Sequence, residues 1–295
     1  MSNHRIAIGC AAIAGIAACG SDSTSPNPHP GIPSFVYVSN QNGSDQLFVY
    51  SNGSATLLPG STAGDVDPQS AHGRIVFSGY RDSPTNSEIY SVANDGSDLK
   101  RLTNDPALDF APTLRPDGTT IVFASLRTGT SRLWSMNSDG SNPVELTTGS
   151  TEYTPETAPR FSPDGTRLLF NSPRTGTSQL FLIAASGDTA TQLTHEANGA
   201  FDGSWSSDGT TVFYVDGSDH TVIHELTLAD NEVSSYVTGG TDVGQPACNS
   251  TLCLVVVGRT TAAGDIYSYT GANDASPVNL VNTSGNERQP ALLVP

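Results

Sequence analysis

Charge is scarce in this chain of 295 residues. Only 14% of them are charged, and 13 lysines and arginines stand against 29 aspartates and glutamates, a formal net charge of −16. Without a basic footprint the chain is no nucleic-acid binder, because phosphates demand one. Adsorption to anionic lipid is disfavoured for the same reason. A membrane-spanning run is missing as well: residues 6–18, IAIGCAAIAGIAA, fall short of the roughly 20 apolar residues a spanning helix needs. Cysteine is rare, and no second Cys or His pair stands at zinc-site spacing. What the chain has in quantity is turn chemistry, with 29 glycines and 19 prolines among many Ser, Thr and Asn. That balance suits many short strands joined by tight turns.

The N-terminus reads as an export signal. Arg5 supplies a positive charge, the run at 6–18 an apolar core, and small residues precede a cut. Ile16-Ala17-Ala18-Cys19 followed by Gly20 resembles the lipobox of bacterial lipoproteins. That resemblance implies that 1–18 are removed and that Cys19 becomes the acylated N-terminus. With Gly rather than Asp after the cysteine, it also implies the outer membrane as destination. Residues 19–34 are Ser/Pro/Gly-rich and read as a flexible tether.

The rest of the chain repeats itself. Residues 109–147, DFAPTLRPDGTTIVFASLRTGTSRLWSMNSDGSNPVELT, align without a gap with 156–194, ETAPRFSPDGTRLLFNSPRTGTSQLFLIAASGDTATQLT. Further copies occupy 67–103, 203–238 and 244–281, the last without its D-G turn. Marker prolines fall at Pro68, Pro112, Pro159, Pro246 and Pro290, with Gly203 in the vacant slot, at intervals of 43 to 47 residues. Each unit holds four short apolar stretches, and D-G between two of them is a strong hairpin signal. A period of that length with four strands is a propeller blade. The chain starts at 35–60 with the later strands of a unit and finishes at 286–295 with a first strand. Together these make a sixth blade and close the ring. The expected fold is all-β: a six-bladed β-propeller over 35–295, closed by the C-terminal strand.

These units resemble the WD40-like repeats of the TolB family, whose motif runs roughly D-x-x-P-x-[FW]-S-P-D-G, S-x-R-x-G, an aromatic strand, D-x-x-G and L-T. The resemblance covers nearly all of 35–295. It implies a periplasmic binding role in the cell envelope, since the family's namesake uses its propeller to bind a peptidoglycan-associated lipoprotein. That protein carries an α/β domain ahead of its propeller, whereas here the tether alone separates Cys19 from the first strand.

Several residue sets are candidates for chemistry. Arg81, Arg127, Arg174 and Arg259 recur after the second strand of four blades. A guanidinium ring could take anionic ligands, but recurrence favours a structural part that pairs with carbonyls or acids. Asp65, Asp109, Glu156 and Glu287 stand three residues before the marker Pro, with Asp202 and Asp242 nearby in the other units. They are expected near the mouth of the central channel, capping inter-blade turns and able to hold a structural Ca²⁺ or Mg²⁺ through oxygen ligands. Asp95, Asp117, Asp139, Asp164 and Asp208 all precede Gly, and turn formation explains them. Cys248 and Cys253 flank the hairpin that lacks D-G and are within reach of a disulfide, which the oxidising compartment would keep. His72, His195, His220 and His224 share no repeat slot. No G-x-S-x-G elbow supplies a nucleophile; Gly203-Ser204-Trp205-Ser206 sits in an inner-strand slot.

The expected function is therefore a non-catalytic binding or scaffolding module, monomeric, held to the outer membrane by its lipid alone and without a required cofactor. Its partner is an envelope protein or a cell-wall glycan. The alternative is an enzyme similar to the oligogalacturonate lyases, acting on uronate sugars.

Overall fold

The computed structural model describes residues 31–147, 155–187, 189–217, 220, 222–237, 242–249, 252–258, 264–270 and 277–294. Cys19 and Arg259 lie outside them. The described residues form 24 strands in six antiparallel sheets of four. The first blade holds β1 (Phe35–Ser39), β2 (Gln46–Ser51) and β3 (Ser54–Leu57). The second runs β4 (Asp65–Ala71), β5 (Arg74–Gly79), β6 (Glu88–Ala93) and β7 (Lys100–Arg101). The third runs β8 (Asp109–Leu114), β9 (Thr120–Ser125), β10 (Arg132–Asn137) and β11 (Val144–Glu145). The fourth runs β12 (Thr157–Phe161), β13 (Arg167–Thr175), β14 (Thr177–Ala184) and β15 (Thr191–Gln192). The fifth runs β16 (Ala200–Trp205), β17 (Thr211–Asp216), β18 (Ile223–Thr227) and β19 (Val233–Val237). The sixth runs β20 (Val243–Cys248), β21 (Cys253–Val257), β22 (Asp265–Tyr269) and β23 (Val278–Val281). Then β24 (Arg288–Leu292) returns to pair with β1, and the first sheet reads β24-β1-β2-β3.

The second strands are the most apolar. IVF in β5, IVF in β9, LLF in β13 and VFYV in β17 are buried on both faces, as strands sandwiched between neighbouring blades must be. The core is accordingly six clusters, one at each blade-to-blade interface, rather than one mass. Phe77 and Tyr90 of the second blade pack with Val36 and Leu47 of the first. Leu254 and Ile266 of the sixth pack with Phe35 and Tyr50 of the first, which closes the circle. Of the expected turn aspartates, Asp117, Asp164 and Asp208 sit between first and second strands, and Asp95 and Asp139 between third and fourth. Asp164 accepts from Ser162 Oγ at 2.5 Å and Thr166 N at 3.0 Å, and Asp208 from Ser206 Oγ at 2.6 Å and Thr210 N at 3.0 Å; these bonds, the serine hydroxyls foremost, lower both carboxyl pKa values to about 2.

Every innermost strand bulges at the same place. The residue before the marker Pro or Gly takes a positive φ of 50–55° in all six blades: Asp67, Ala111, Ala158, Asp202, Gln245 and Gln289. The pairing register with the next strand shifts there each time. Proline has no N–H to give the ladder, so a bulge is where a strand can accept it. In the fifth blade the slot is Gly203 because a Cβ would come within 2.7 Å of Leu169 and 2.8 Å of Leu180. The bulges lie around the central channel and set what faces it.

Candidate functional site

Two rings of polar residues occupy different depths. The first is structural and buried. Asp65, at the start of β4, is fully buried and takes Arg81 by two bonds, Nε to Oδ1 at 3.0 Å and Nη2 to Oδ2 at 2.6 Å. Asp109 takes Arg127 in the same way at 3.3 and 2.6 Å. Glu156 takes Nη2 of Arg174, with Arg132 at 3.5 Å. Each guanidinium also lies against two aromatic rings of its own blade. Arg81 is 5.2 Å from the centres of Phe77 and Tyr90, and Arg127 is 5.0 Å from Trp134. Such stacking fixes the planar fork. Burial nevertheless pushes the Asp65 carboxyl upward, against the opposing pull of Arg81.

Asp65 caps its inter-blade turn, accepting Thr62 N at 2.8 Å, and the part of the sequence expectation that is corrected is the placement at the channel. Asp65, Asp109, Glu156 and Glu287 are fully buried, and neither they nor Asp242 lines the channel; of the six, Asp202 alone does. The slot three residues before the Pro faces an arginine of its own blade at the strand's start. The bulge then breaks the alternation, and the residue directly before the Pro reaches the channel instead. Glu287 differs from its counterparts because no arginine follows β1. Ser39 Oγ donates to its Oε1 at 2.9 Å and Thr283 Oγ1 at 2.6 Å, while Oε2 is buried without a partner. Burial raises its pKa.

The second ring lines a channel of about 480 Å³, which runs from the bulges to the face carrying the first-hairpin turns at Pro116, Pro163, Ser207 and Asn249. Its polar groups form a relay from blade to blade. Gln245 N donates to Asp202 Oδ2 at 3.2 Å, and Gln289 N to Gln245 Oε1 at 2.8 Å. Asp67 N donates to Gln289 Oε1 at 3.0 Å, while Gln289 Nε2 donates back to Asp67 Oδ1. Ser78 Oγ bridges onward, donating to Asp67 Oδ2 at 3.2 Å and accepting Ala111 N at 2.9 Å. The fourth blade has Ala158 in this slot and contributes Arg160 two residues later. Arg160 Nη1 donates to Pro159 O at 2.9 Å, and Trp205 Nε1 donates to Arg160 O at 3.1 Å. Desolvation lowers the Arg160 pKa, with Asp67 and Asp202 pulling the other way.

Sequence reading missed Asp67, Arg160, Gln245 and Gln289. The signal was there: the slots one before and one after the marker Pro vary from blade to blade while their flanks repeat. A varying slot inside a constant frame is where a symmetric scaffold carries individual chemistry.

Chemically, this ring offers acceptors, amides and one cation, a set for recognition. Among the described residues no three His, Cys, Asp or Glu side chains cluster in a way that would hold a metal ion. His224 stacks on Tyr214 at 5.2 Å in the fifth blade and His72 ends the first hairpin of the second, so the histidines do not converge. Arg81, Arg127 and Arg174 serve the buried pairs, and none lines the channel. Cys248 and Cys253 are joined by a disulfide across the tip of β20 and β21, and Cys248 borders the channel mouth.

The profile of the TolB β-propeller domain matches residues 150–293. A Tol-Pal system protein TolB from Bordetella pertussis is 39% identical over 57 residues, which is 19% of this chain and 13% of that protein. Its match therefore spans a small part of either partner. The crystal structure of TolB from Acinetobacter baumannii superposes with a TM-score of 0.74 at 18% identity, over 89% of this chain and 67% of that one. An oligogalacturonate lyase solved with manganese superposes at 0.55 and 14% identity, over 77% and 74%. At these identities both structures share a fold with this chain, and the fold alone.

Proposed function

From the premise that this chain is a TolB-type six-bladed β-propeller, we propose that it is an exported, non-catalytic binding module of the cell envelope. The carrying observation is the channel. A rigid closed ring holds an individual set of donors and acceptors at one mouth, where a propeller presents its loops to a partner. Asp67, Asp202, Gln245, Gln289 and Arg160 make a recognition surface, its aspartates and amides tied together by hydrogen bonds from blade to blade. The partner is an envelope protein, in line with the Tol-Pal system for which the Bordetella relative is named. Acylation at Cys19 would hold the module to the outer membrane through the tether. Asp202 and the buried acids serve architecture and recognition, with no metal required.

The reading is tested by capture and turnover side by side. Mature protein is offered a solubilised envelope fraction, and the same preparation is screened for cleavage of uronate oligosaccharides with manganese present. One envelope protein retained in stoichiometric amount, and released by excess free propeller, is the expected result. Reproducible lyase turnover would overturn the reading. Radiolabelled palmitate incorporation, lost in Cys19→Ala, tests the anchor.

A further inference from the structure

The fifth blade lacks the arginine that its neighbours carry. In the second, third and fourth blades Arg81, Arg127 and Arg174 are each locked on a buried acid. Asp216 pairs with Ala200 as Gly79 pairs with Asp65 and Ser125 with Asp109. The acid slot of the fifth blade therefore holds Ala200, and its arginine slot falls on Ser218, outside the described residues. An acid that belongs with such an arginine is nevertheless present. Arg127 also reaches back to Asp105, in the loop that leaves the second blade, at 3.5 Å. Glu196 holds the same slot in the loop that leaves the fourth. Asp105 N donates to Glu88 Oε1 at 3.1 Å and Glu196 N to Gln179 Oε1 at 3.1 Å, so the two loops run alike. Glu196 Oε1 accepts the Tyr214 hydroxyl at 2.6 Å, and among the described residues no bond reaches Oε2 and no arginine or lysine pairs with the carboxylate. Tyr214 is buried, its ring stacked on His224 at 5.2 Å. Burial above all, then the bond to Glu196, pushes its pKa upward, so the phenol is the donor and the carboxylate the acceptor. Beside this pair lies a cavity of about 300 Å³ between the fourth and fifth blades, which shares no lining residue with the channel. Leu193, Leu226 and Val233 give it an apolar wall; Glu196 is its only carboxylate, and no lysine or arginine lines it.

An apolar wall that ends at an unpaired carboxylate is complementary to a long side chain with a cationic head. We propose that this cavity takes an arginine side chain of a protein partner, its stem along Leu193, Leu226 and Val233 and its guanidinium on Glu196. The contact of Arg127 with Asp105 is the precedent: the arginine comes from the chain itself in the third blade and from outside in the fifth. Tyr214 acts as a positioning residue, holding Glu196 by its hydrogen bond. The volume lies at the lower end of the range for binding pockets and suits a single side chain. A net charge of −16 steers a basic partner surface toward the propeller. The inference rests on the binding-module reading and deepens it, because it names a group that the protein partner presents.

An NMR titration of the isotope-labelled mature chain reads affinity and place together. N-acetyl-L-arginine methylamide is expected to bind with a dissociation constant of about 1 mM or tighter. The matching citrulline compound keeps the shape without the charge and should bind at least about tenfold more weakly. Amide shifts should change at 192–196 and 226–233, and not at Asp67 or Gln245 in the channel. Glu196→Gln should bring the two compounds to equal affinity. Tyr214→Phe should weaken the arginine compound by about threefold while keeping it ahead of citrulline. No shift at about 10 mM, parity of the two compounds in the wild type, or shifts confined to the channel would each overturn the proposal. The wild-type comparison decides even if a variant fails to fold. A silent titration beside an envelope protein captured in stoichiometric amount would end this inference and leave the binding-module reading standing. Arginine binding as expected, with no envelope protein captured, would end that reading alone.

Discussion

Arg81 and Asp65 show what a single repeated pair contributes. The carboxylate is fully buried and the guanidinium mostly so, with side-chain exposures of 0% and 14%. Removing one partner of such a pair leaves the other charge in low dielectric without compensation. Arg81→Met should therefore destabilise the protein by about 3–5 kcal/mol in urea denaturation, and adding Asp65→Asn should recover much of the loss. Additive losses would mean that the pair is not coupled. Glu287, at the same slot without an arginine, behaves in the opposite sense to a paired acid. Its folded pKa lies above the ordinary value of 4.5, so the folded state holds the proton more tightly than the unfolded chain. The stability this group supplies is complete below pH 4.5 and is lost as pH rises through the folded pKa. Glu287→Gln keeps the neutral form throughout. Its Tm relative to wild type should therefore climb as pH rises above 4.5. A constant difference across that range would show that Glu287 is not held protonated by burial.

At the scale of the strand and hairpin, the sequence was most legible where turn chemistry is strict. The D-G dipeptides located first and last hairpin turns and the marker prolines the innermost strands, because few residues can meet those backbone demands. Gly140 illustrates the last hairpin of a blade, between β10 and β11. It sits at φ 88°, and a Cβ there would come within 2.6 Å of the Leu102 carbonyl in the preceding blade. Gly140→Ala should cost at least about 1 kcal/mol, read as a lowered denaturation midpoint, since both the conformation and the blade contact oppose it. The disulfide replaces the missing D-G of the sixth blade. Reducing it, or substituting both Cys248 and Cys253 with Ser, should cost about 2 kcal/mol, because the closed loop is short. What could not be read at this scale was the bulge. A period-2 reading carries the acid at position 65 straight to the channel wall. The left-handed residue at Asp67 breaks that alternation, and nothing in a strand pattern announces it.

At the scale of the whole molecule, six blades with six separate interface clusters explain how the chain stands without a central core. Each cluster needs both of its blades, so the ring is stable only when β24 joins β1 and the cluster between the sixth and first blades completes the circle. Blade number and closure were legible because they follow from repeat spacing and from the split unit at the two ends. The composition of the channel was not, because it depends on which of two adjacent slots the bulge turns inward. The same geometry places everything individual about the channel at one mouth: the aspartates, the amides, Arg160 and the disulfide's edge.

A photo-crosslinking amino acid placed in turn at Ser207 and Asn249 on that mouth, and at Lys100 on the outer rim, measures this most directly in the intact envelope. Binding through the channel mouth predicts one shared adduct with an envelope protein from Ser207 and Asn249 and none from Lys100. An adduct from Lys100 alone, or the same yield from all three positions, would contradict it.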